Sequence, residues 1–356
     1  MIKAAQIKKI IRITIAWTMV SLIQYLIGLG TLIDMDYDFS IKSPIVPLKG
    51  SIITGILAGI LGGSMLVFGW EKWLRTKPYG VALRNIIISY TIIFFLVAIP
   101  TSAFFNMGYT GYSLLSTELW IEIYKALTGI TLAVPFFFWL IIVVITMITF
   151  LVDDKYGPGV FKKFLLGKYF IPTREERVFM FLDLKSSTTI AEQLGEEKYF
   201  HFLKDVFQKI TPPISQHKAE IYQYVGDEIV LSWPVIKDAT KSSIACFFDI
   251  KKLLIDQSEY FMQQYDTLPQ FKAGIHCGYV MAGEIGVIKR EIAYSGDVLN
   301  TTARIQSKCN EHGTDLLISE DLKALLSVSN EVVRSIGKIE LKGKSRELEL
   351  YTVHQN

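Results

Sequence analysis

The chain has 356 residues, of which 51% are hydrophobic and 20% charged, with a formal net charge of +3. Such a length allows about two domains, and so small a positive balance excludes the strongly basic surface of a nucleic-acid-binding protein. The three cysteines (Cys246, Cys277 and Cys309) show no CxxC or Cys/His spacing, which excludes a disulfide framework and a zinc site and reads as reduced intracellular thiols.

Charge is unevenly spread. Up to about residue 152 the sequence is built of apolar blocks; beyond it, charges are interspersed as in a globular domain. Four blocks, near residues 10–30, 51–70, 86–107 and 127–152, reach the roughly 20 residues that a helix needs to cross a bilayer. Lys3, Lys8, Lys9 and Arg12 precede the first, which lacks a small-residue cleavage site and reads as a retained anchor rather than a signal peptide. The segment 72–77 and the exit residues Lys155, Lys162, Lys163 and Lys168 are also basic, whereas Asp34, Asp36, Asp38, Glu118 and Glu122 mark the intervening loops. The positive-inside rule then sets both termini in the cytoplasm, for a multi-pass protein of the inner (cytoplasmic) membrane.

No histidine precedes His201, so this half cannot hold a haem or metal through imidazole. No span carries a mid-depth acid or base, which argues against a transport pathway. Gly55, Gly59 and Gly63 lie four apart and permit close helix approach, either within the bundle or between two copies. Pro100 and Pro135 are expected to kink the third and fourth spans. The outer loops are only about twenty residues long, so any signal enters through the helices, the lipid bilayer or an unidentified membrane regulator.

Residues 153–176 read as a cytoplasmic linker. Gly157-Pro158-Gly159 stops the last helix, and the aromatic, basic stretch 160–166 reads either as a membrane-surface segment or as a packed helix. Arg174-Glu175-Glu176-Arg177 then leads to a strand over 177–184. Next come helices over 187–216, strands over 219–225 and 228–233 about a Gly226-Asp227 turn, and a long helix over 237–265. Strands near 270–282 and 290–295, a helix from Val298 to Cys309, a strand at 315–318, a short helix from Ser319 and a hairpin across 331–353 complete the domain, 177–356. The opening βαββαβ order predicts a ferredoxin-like α+β fold.

Two acids stand at strand ends beside turns: Asp183 in Phe181-Leu182-Asp183-Leu184-Lys185-Ser186 and Asp227 in Tyr224-Val225-Gly226-Asp227-Glu228. If those strands are neighbours, the carboxylates converge and can hold a divalent cation against phosphate oxygens. Residues 185–189 can open a helix whose free amides face the phosphates. Taken singly, Gly226-Asp227 is also a common hairpin turn and Asp183 a plain capping residue. Downstream, Asn300 and Arg304 lie one helical turn apart on a common face.

From Phe181 to the C-terminus the chain resembles the class III nucleotidyl cyclases. The resemblance is carried by the two acid motifs, Ala273-Gly274-Ile275-His276-Cys277-Gly278 with Ala282-Gly283, the run from Gly296 to Arg304, and Leu341-Lys342-Gly343-Lys344. It implies two Mg2+ or Mn2+ ions per site, held at Asp183, Leu184 and Asp227, that activate the ribose 3′-hydroxyl and clamp the triphosphate. It makes Asn300 a ribose-orienting group and Arg304 the stabiliser of charge on the α-phosphoryl group. Ser186, Ser187, Thr188, Gln223, Ala293 and Lys342 become substrate contacts, Lys342 reaching the terminal phosphates with Lys344 as second choice. It also implies a head-to-tail homodimer with acids from one subunit and the Asn/Arg pair from the other, and a dimer arm over about 277–292. In such a pair the membrane helices would set the relative rotation of the two soluble domains.

At the two purine-reading places the family's ATP users usually carry Lys and Asp and its GTP users Glu and Cys; here they hold Gln223 and Ala293. ATP is the expected substrate, GTP the alternative. Two further readings are a diguanylate-cyclase-like enzyme, from the GGDEF-like Val225-Gly226-Asp227-Glu228-Ile229, and a catalytically inactive membrane-anchored nucleotide-binding module.

Overall fold

A computed structural model describes residues 2–35, 44–70, 78–156, 166–236, 239–288, 290–326, 333–340 and 347–354. Lys342, Lys344, the basic segment 72–77 and residues 157–165 of the linker lie outside these. The chain divides into two compact units, Met1–Tyr156 and Gly157–Asn356.

The first unit holds α1 (Ile2–Asp34), α2 (Ile45–Ser64, continued by a π turn to Trp70), α3 (Tyr79–Thr110), α4 (Thr117–Thr128) and α5 (Ala133–Tyr156). Four of these contain stretches long and apolar enough to cross a membrane: Gln6–Asp34, Ile45–Gly69, Gly80–Thr110 and Ala133–Asp153. One flank of α1 (Ile7, Ile11, Ile15, Met19, Ile23 and Ile27) is apolar yet more than half exposed, as a lipid-facing stripe would be. The glycines of α2 pack inside the bundle: a Cβ on Gly55 or Gly59 would lie 2.5 Å from the Cα of Thr18 or Thr14 on α1, and Gly63 faces Ile13. Intramolecular packing therefore accounts for that stripe.

Two expectations are corrected here. The fourth span starts at Ala133 rather than 127, because Gly129 ends a separate amphipathic helix, α4, which buries Leu119 and Ile123. Pro135 consequently lies in the first turn of α5, where the missing N–H costs no hydrogen bond, and does not kink mid-span. Pro100 does lie inside α3.

The second unit contains β1 (Thr173–Leu184), α6 (Ser187–Leu194), α7 (Glu196–Gln216), β2 (Glu220–Val225), β3 (Glu228–Pro234), α8 (Ala239–Asp256) and α9 (Ser258–Tyr265). It continues with β4 (Phe271–Ile285), β5 (Glu291–Ser295), α10 (Asp297–Ser307), β6 (Leu316–Ser319), α11 (Glu320–Ala324), β7 (Val333–Ile339) and β8 (Leu348–Val353). The sheet order is β2-β3-β1-β4-β6-β8-β7, with β5 paired to β4. Its β2-β3-β1-β4 part is wholly antiparallel and follows the expected ferredoxin-like βαββαβ order.

Alternation along β1 explains its continuous apolar run. Val178, Met180 and Leu182 enter one core with α7, α8 and α9, while Phe179 and Phe181 enter another with Val280 and Val298. β1 begins at Thr173, four residues before the expected 177, so Arg174–Arg177 form part of the strand. The single helix expected over 237–265 breaks at Gln257, whose side-chain carbonyl accepts from Lys209.

Candidate active site

Asp183, at the end of β1, pairs across the ladder with Glu228, the first residue of β3. Asp227 precedes Glu228 in the β2–β3 turn, where Gly226 takes φ 62°, a backbone conformation that glycine adopts without a Cβ penalty. Three carboxyl groups thus gather at one end of the sheet. Burial lifts the Asp183 carboxyl above its ordinary range, the Lys272 ammonium pulls it back, and the charge of Asp227 adds to the rise. Glu228 is pushed up to about 7, first by burial and then by Asp183 and Asp227.

Two residues that the sequence reading missed bind Asp183 directly. Gln306 Nε2 donates to its Oδ2 at 2.9 Å, and Lys272 Nζ lies 3.1 Å from the same oxygen. Lys272 is the β4 residue opposite Asp183 in the antiparallel register. Its position just before the Ala273-Gly274 motif was the available signal; for Gln306 it was placement two residues beyond Arg304.

β1 then turns into α6. Ser186 takes the left-handed conformation (φ 55°) as N-cap, with no side-chain cap bond, so the first amides of α6 are left to other acceptors. Ser187 opens the helix and bonds the hydroxyl of Tyr199, which burial and then Asp227 raise above the usual tyrosine range. Thr188 is exposed. Lys185 is turned away: its ammonium pairs with Asp315, which also takes Lys251 at 2.6 Å. Leu184 is buried, leaving only backbone oxygen to offer.

Asn300 and Arg304 ride on α10, whose buried face is Val298, Thr301, Thr302, Ile305 and Gln306. Asn300 is exposed and Arg304 partly so, and neither side chain has a hydrogen-bond or ion-pair partner among the described residues. Arg304 and Gln306 are two residues apart, about 200° around the helix axis. Within one chain, therefore, α10 turns Gln306 to the acids and Arg304 away from them. This follows from the close seating of α10 on β4: a Cβ on Gly274 would lie 2.4 Å from the backbone nitrogen of Gln306.

Gln223 is exposed on β2 beside a bulge, and Ala293 pairs with Gly283 on β4. Their neighbours Tyr222 and Tyr294 meet, with ring centroids 5.0 Å apart and the Tyr294 amide donating to the Tyr222 hydroxyl. Beneath Tyr294 lies Arg177, 1% exposed, which donates to Glu175, Glu220 and Ser232. The outer part of β4 and its turn expose Tyr279, Met281, Ile285, Val287 and Ile288, a continuous apolar strip along one strand and its turn.

The donors suit a hard divalent cation: carboxylate and backbone oxygens, with no sulfur or imidazole. Among the described residues no group of three or more His, Cys, Asp or Glu side chains could hold an ion unaided. That agrees with the habit of Mg2+, which binds through one or two carboxylates and completes its shell with water and substrate phosphate. An acid pair at a sheet end, a helix start with free amides and an exposed amide–guanidinium pair together define a domain equipped for metal-dependent chemistry on a polyphosphate.

Residues 172–355 match the family model described as the adenylate and guanylate cyclase catalytic domain. The chain belongs to this family, the class III cyclases. Among curated relatives, adenylate cyclase 2 of Rhizobium meliloti (strain 1021) is 36% identical over 199 residues, covering 55% of each chain. Adenylate cyclase 1 of the same organism is 28% identical over 189 residues, covering 51% of this chain and 28% of its own. The chain thus spans about half, or less, of the length of these relatives. Among solved structures, a bacterial light-regulated adenylyl cyclase superposes with a TM-score of 0.54 at 19% identity, covering 64% of this chain and 66% of its own, a likeness of fold.

Proposed function

We propose that the protein is a membrane-anchored adenylate cyclase that converts ATP to 3′,5′-cyclic AMP and pyrophosphate in a head-to-tail homodimer. The observation that carries this is the split on α10. Gln306 is bonded to Asp183 at 2.9 Å while Asn300 and Arg304, on the far side, have no partner among the described residues and are available to the site of a second copy. The exposed strip from Tyr279 to Ile288 supplies an apolar surface for that pairing.

Asp183, Asp227 and the backbone of Leu184 would hold one or two Mg2+ or Mn2+ ions, which supply charge neutralisation on the triphosphate and acidify the ribose 3′-hydroxyl. The amides opening α6, with Ser186, Ser187 and Thr188, would receive the phosphates. Asn300 would fix the ribose, and Arg304 would stabilise charge as it develops on the α-phosphorus. Gln223 and the Ala293 backbone would meet the purine. Lys342 remains a proposed terminal-phosphate contact from sequence alone.

ATP is supported by the adenylate cyclase names of the two Rhizobium meliloti relatives. GTP is the second reading, since a Gln amide can donate to adenine or accept from guanine according to its flip. The basic residues before the first span support an inner-membrane protein with its catalytic unit in the cytoplasm. The test is turnover of ATP and GTP side by side with Mg2+ and Mn2+, for wild type, Asp227→Ala and Arg304→Ala. Faster cyclic AMP formation, lost in both variants, is expected; a GTP rate above the ATP rate overturns the substrate, and activity kept in both variants overturns the site.

A further inference from the structure

The first unit holds a cavity of about 730 Å3 between its helices, open on one side, within the size range of small-molecule sites. It is walled by α1 from Trp17 to Leu32, α2 from Pro47 to Gly62, α3 from Tyr90 to Tyr109, the end of α4 and α5 from Pro135 to Val143, and so reaches toward the end of the bundle at which α1 and α3 finish. The start of α1 is at the other end, where Lys9 meets Phe150 near the end of α5.

Its inner walls are aromatic and fixed. Trp17 and Trp139 have ring centroids 5.8 Å apart, and Tyr90 and Phe94 face the same space. The Trp17 ring packs closely on Gly62, where any Cβ would come within 2.5 Å of its Cζ3, and its Nε1 donates to Thr146. A wall held this way is preorganised for a flat partner. An acyl chain needs no such rigidity.

Among the described residues no side chain lining the cavity is charged, so an ionised head group would meet no counter-charge on these walls, at a large desolvation cost. Toward the open end are Gln24 and Asn106. Asn106 spends its N–H on Ser102, leaving its carbonyl oxygen free, and the Gln24 amide has no partner among the described residues. By contrast the hydroxyls of Ser21, Thr54 and Tyr25 are satisfied within the bundle. The Gln24 amide, with a donor and an acceptor, and the Asn106 carbonyl, a second acceptor, therefore await an occupant.

We propose that this cavity is a binding site for an uncharged, lipid-soluble molecule with a flat ring and carbonyl or hydroxyl oxygens. Its ring would lie against the wall formed by Trp17, Tyr90 and Trp139, and its oxygens would meet Gln24 and Asn106. The site is independent of the cyclase reading.

The full chain in lipid nanodiscs is titrated with decylubiquinone (neutral, flat, carbonyl-bearing), hexadecanol (neutral, without a ring) and palmitate (ionised), following the heat of binding and, for the quinone, its quenching of tryptophan emission. Saturable binding by decylubiquinone alone, with quenching, is expected. Trp17→Phe/Trp139→Phe should remove most of the quenching, and Gln24→Leu should weaken binding about tenfold, the worth of one neutral hydrogen bond. Ala98→Trp, which fills the cavity from α3, should abolish binding while basal cyclic nucleotide formation, the control for folding, stays unchanged. Quenching that rises with membrane partition and never saturates, equal responses to palmitate, or an unaltered dissociation constant in Ala98→Trp would each overturn the proposal.

Discussion

Replacing Gly274 by Ala adds a single methyl group where α10 rests on β4. The new Cβ would stand 2.4 Å from the backbone nitrogen of Gln306, 2.8 Å from its Cα and 2.8 Å from the carbonyl oxygen of Thr302. These are backbone atoms that no rotamer change can move. Ordinary contact begins at 3.4 Å, so the helix must retreat by about 1 Å. Overpacking of this kind costs about 1–3 kcal/mol of stability. The same retreat displaces Gln306 from Asp183 and, in the proposed site, shifts Asn300 and Arg304 relative to substrate. A misplacement of about 1 Å in a catalytic constellation costs on the order of 10²-fold in rate. The assay pairs thermal unfolding of the full chain in detergent with kcat/KM for cyclic nucleotide formation. The expected result is a folded protein whose activity falls far more than its stability does. A variant with activity within about twofold of wild type would refute the claim that the α10–β4 contact sets the site.

Arg177→Met removes a guanidinium shared by Glu175, Glu220 and Ser232, while Glu175 keeps its ion pair with Lys168. A loss of about 2 kcal/mol, that of hydrogen bonds to charged groups, is expected in denaturant unfolding, and a change below about 0.5 kcal/mol would show the cluster to be worth no more than a surface bridge. Glu228, held at about 7 against an ordinary 4.5, binds its proton more tightly folded than unfolded. Its contribution to stability is therefore complete below pH 4.5 and lost as pH rises through 7. In metal-free buffer Glu228→Gln should gain on wild type across that window, and parallel pH profiles for the two proteins would contradict the assignment. Gln223→Lys/Ala293→Asp should raise the ATP-over-GTP ratio of kcat/KM by roughly tenfold or more, because site-built hydrogen bonds supply most base discrimination. An unmoved ratio would place purine reading elsewhere.

The sheet was legible because its residues obey short rules. The run Val178–Leu182 is apolar because both faces of β1 are covered, and Gly226-Asp227 announces a hairpin that the structure contains. The asymmetry of α10, with Val298, Thr301 and Thr302 buried and Asn300 and Arg304 facing out, is likewise written in its 3.6-residue period. What escaped depended on distant partners. Arg177 reads as a solvent charge until Glu175, Glu220 and Ser232 surround it. Lys272 and Gln306 acquire meaning only when β4 and α10 bring them to Asp183, from 89 and 123 residues away. In the first unit, Glu118 and Glu122 give α4 the look of a polar outer loop, and only the burial of Leu119 and Ile123 reveals an amphipathic helix, set off from the next span by Gly129 and a 3-10 turn at Ile130–Leu132.

Complementation between two dead variants tests most directly whether one site takes its acids from one copy and its amide and guanidinium from another. Asp227→Ala and Arg304→Ala are each expected to be inactive, while equal amounts co-expressed should recover about a quarter of wild-type turnover. Half of randomly paired C2 dimers are then mixed, and each mixed dimer rebuilds one of its two sites. No recovery, with mixed dimers demonstrated by tagged co-purification, would contradict a shared site.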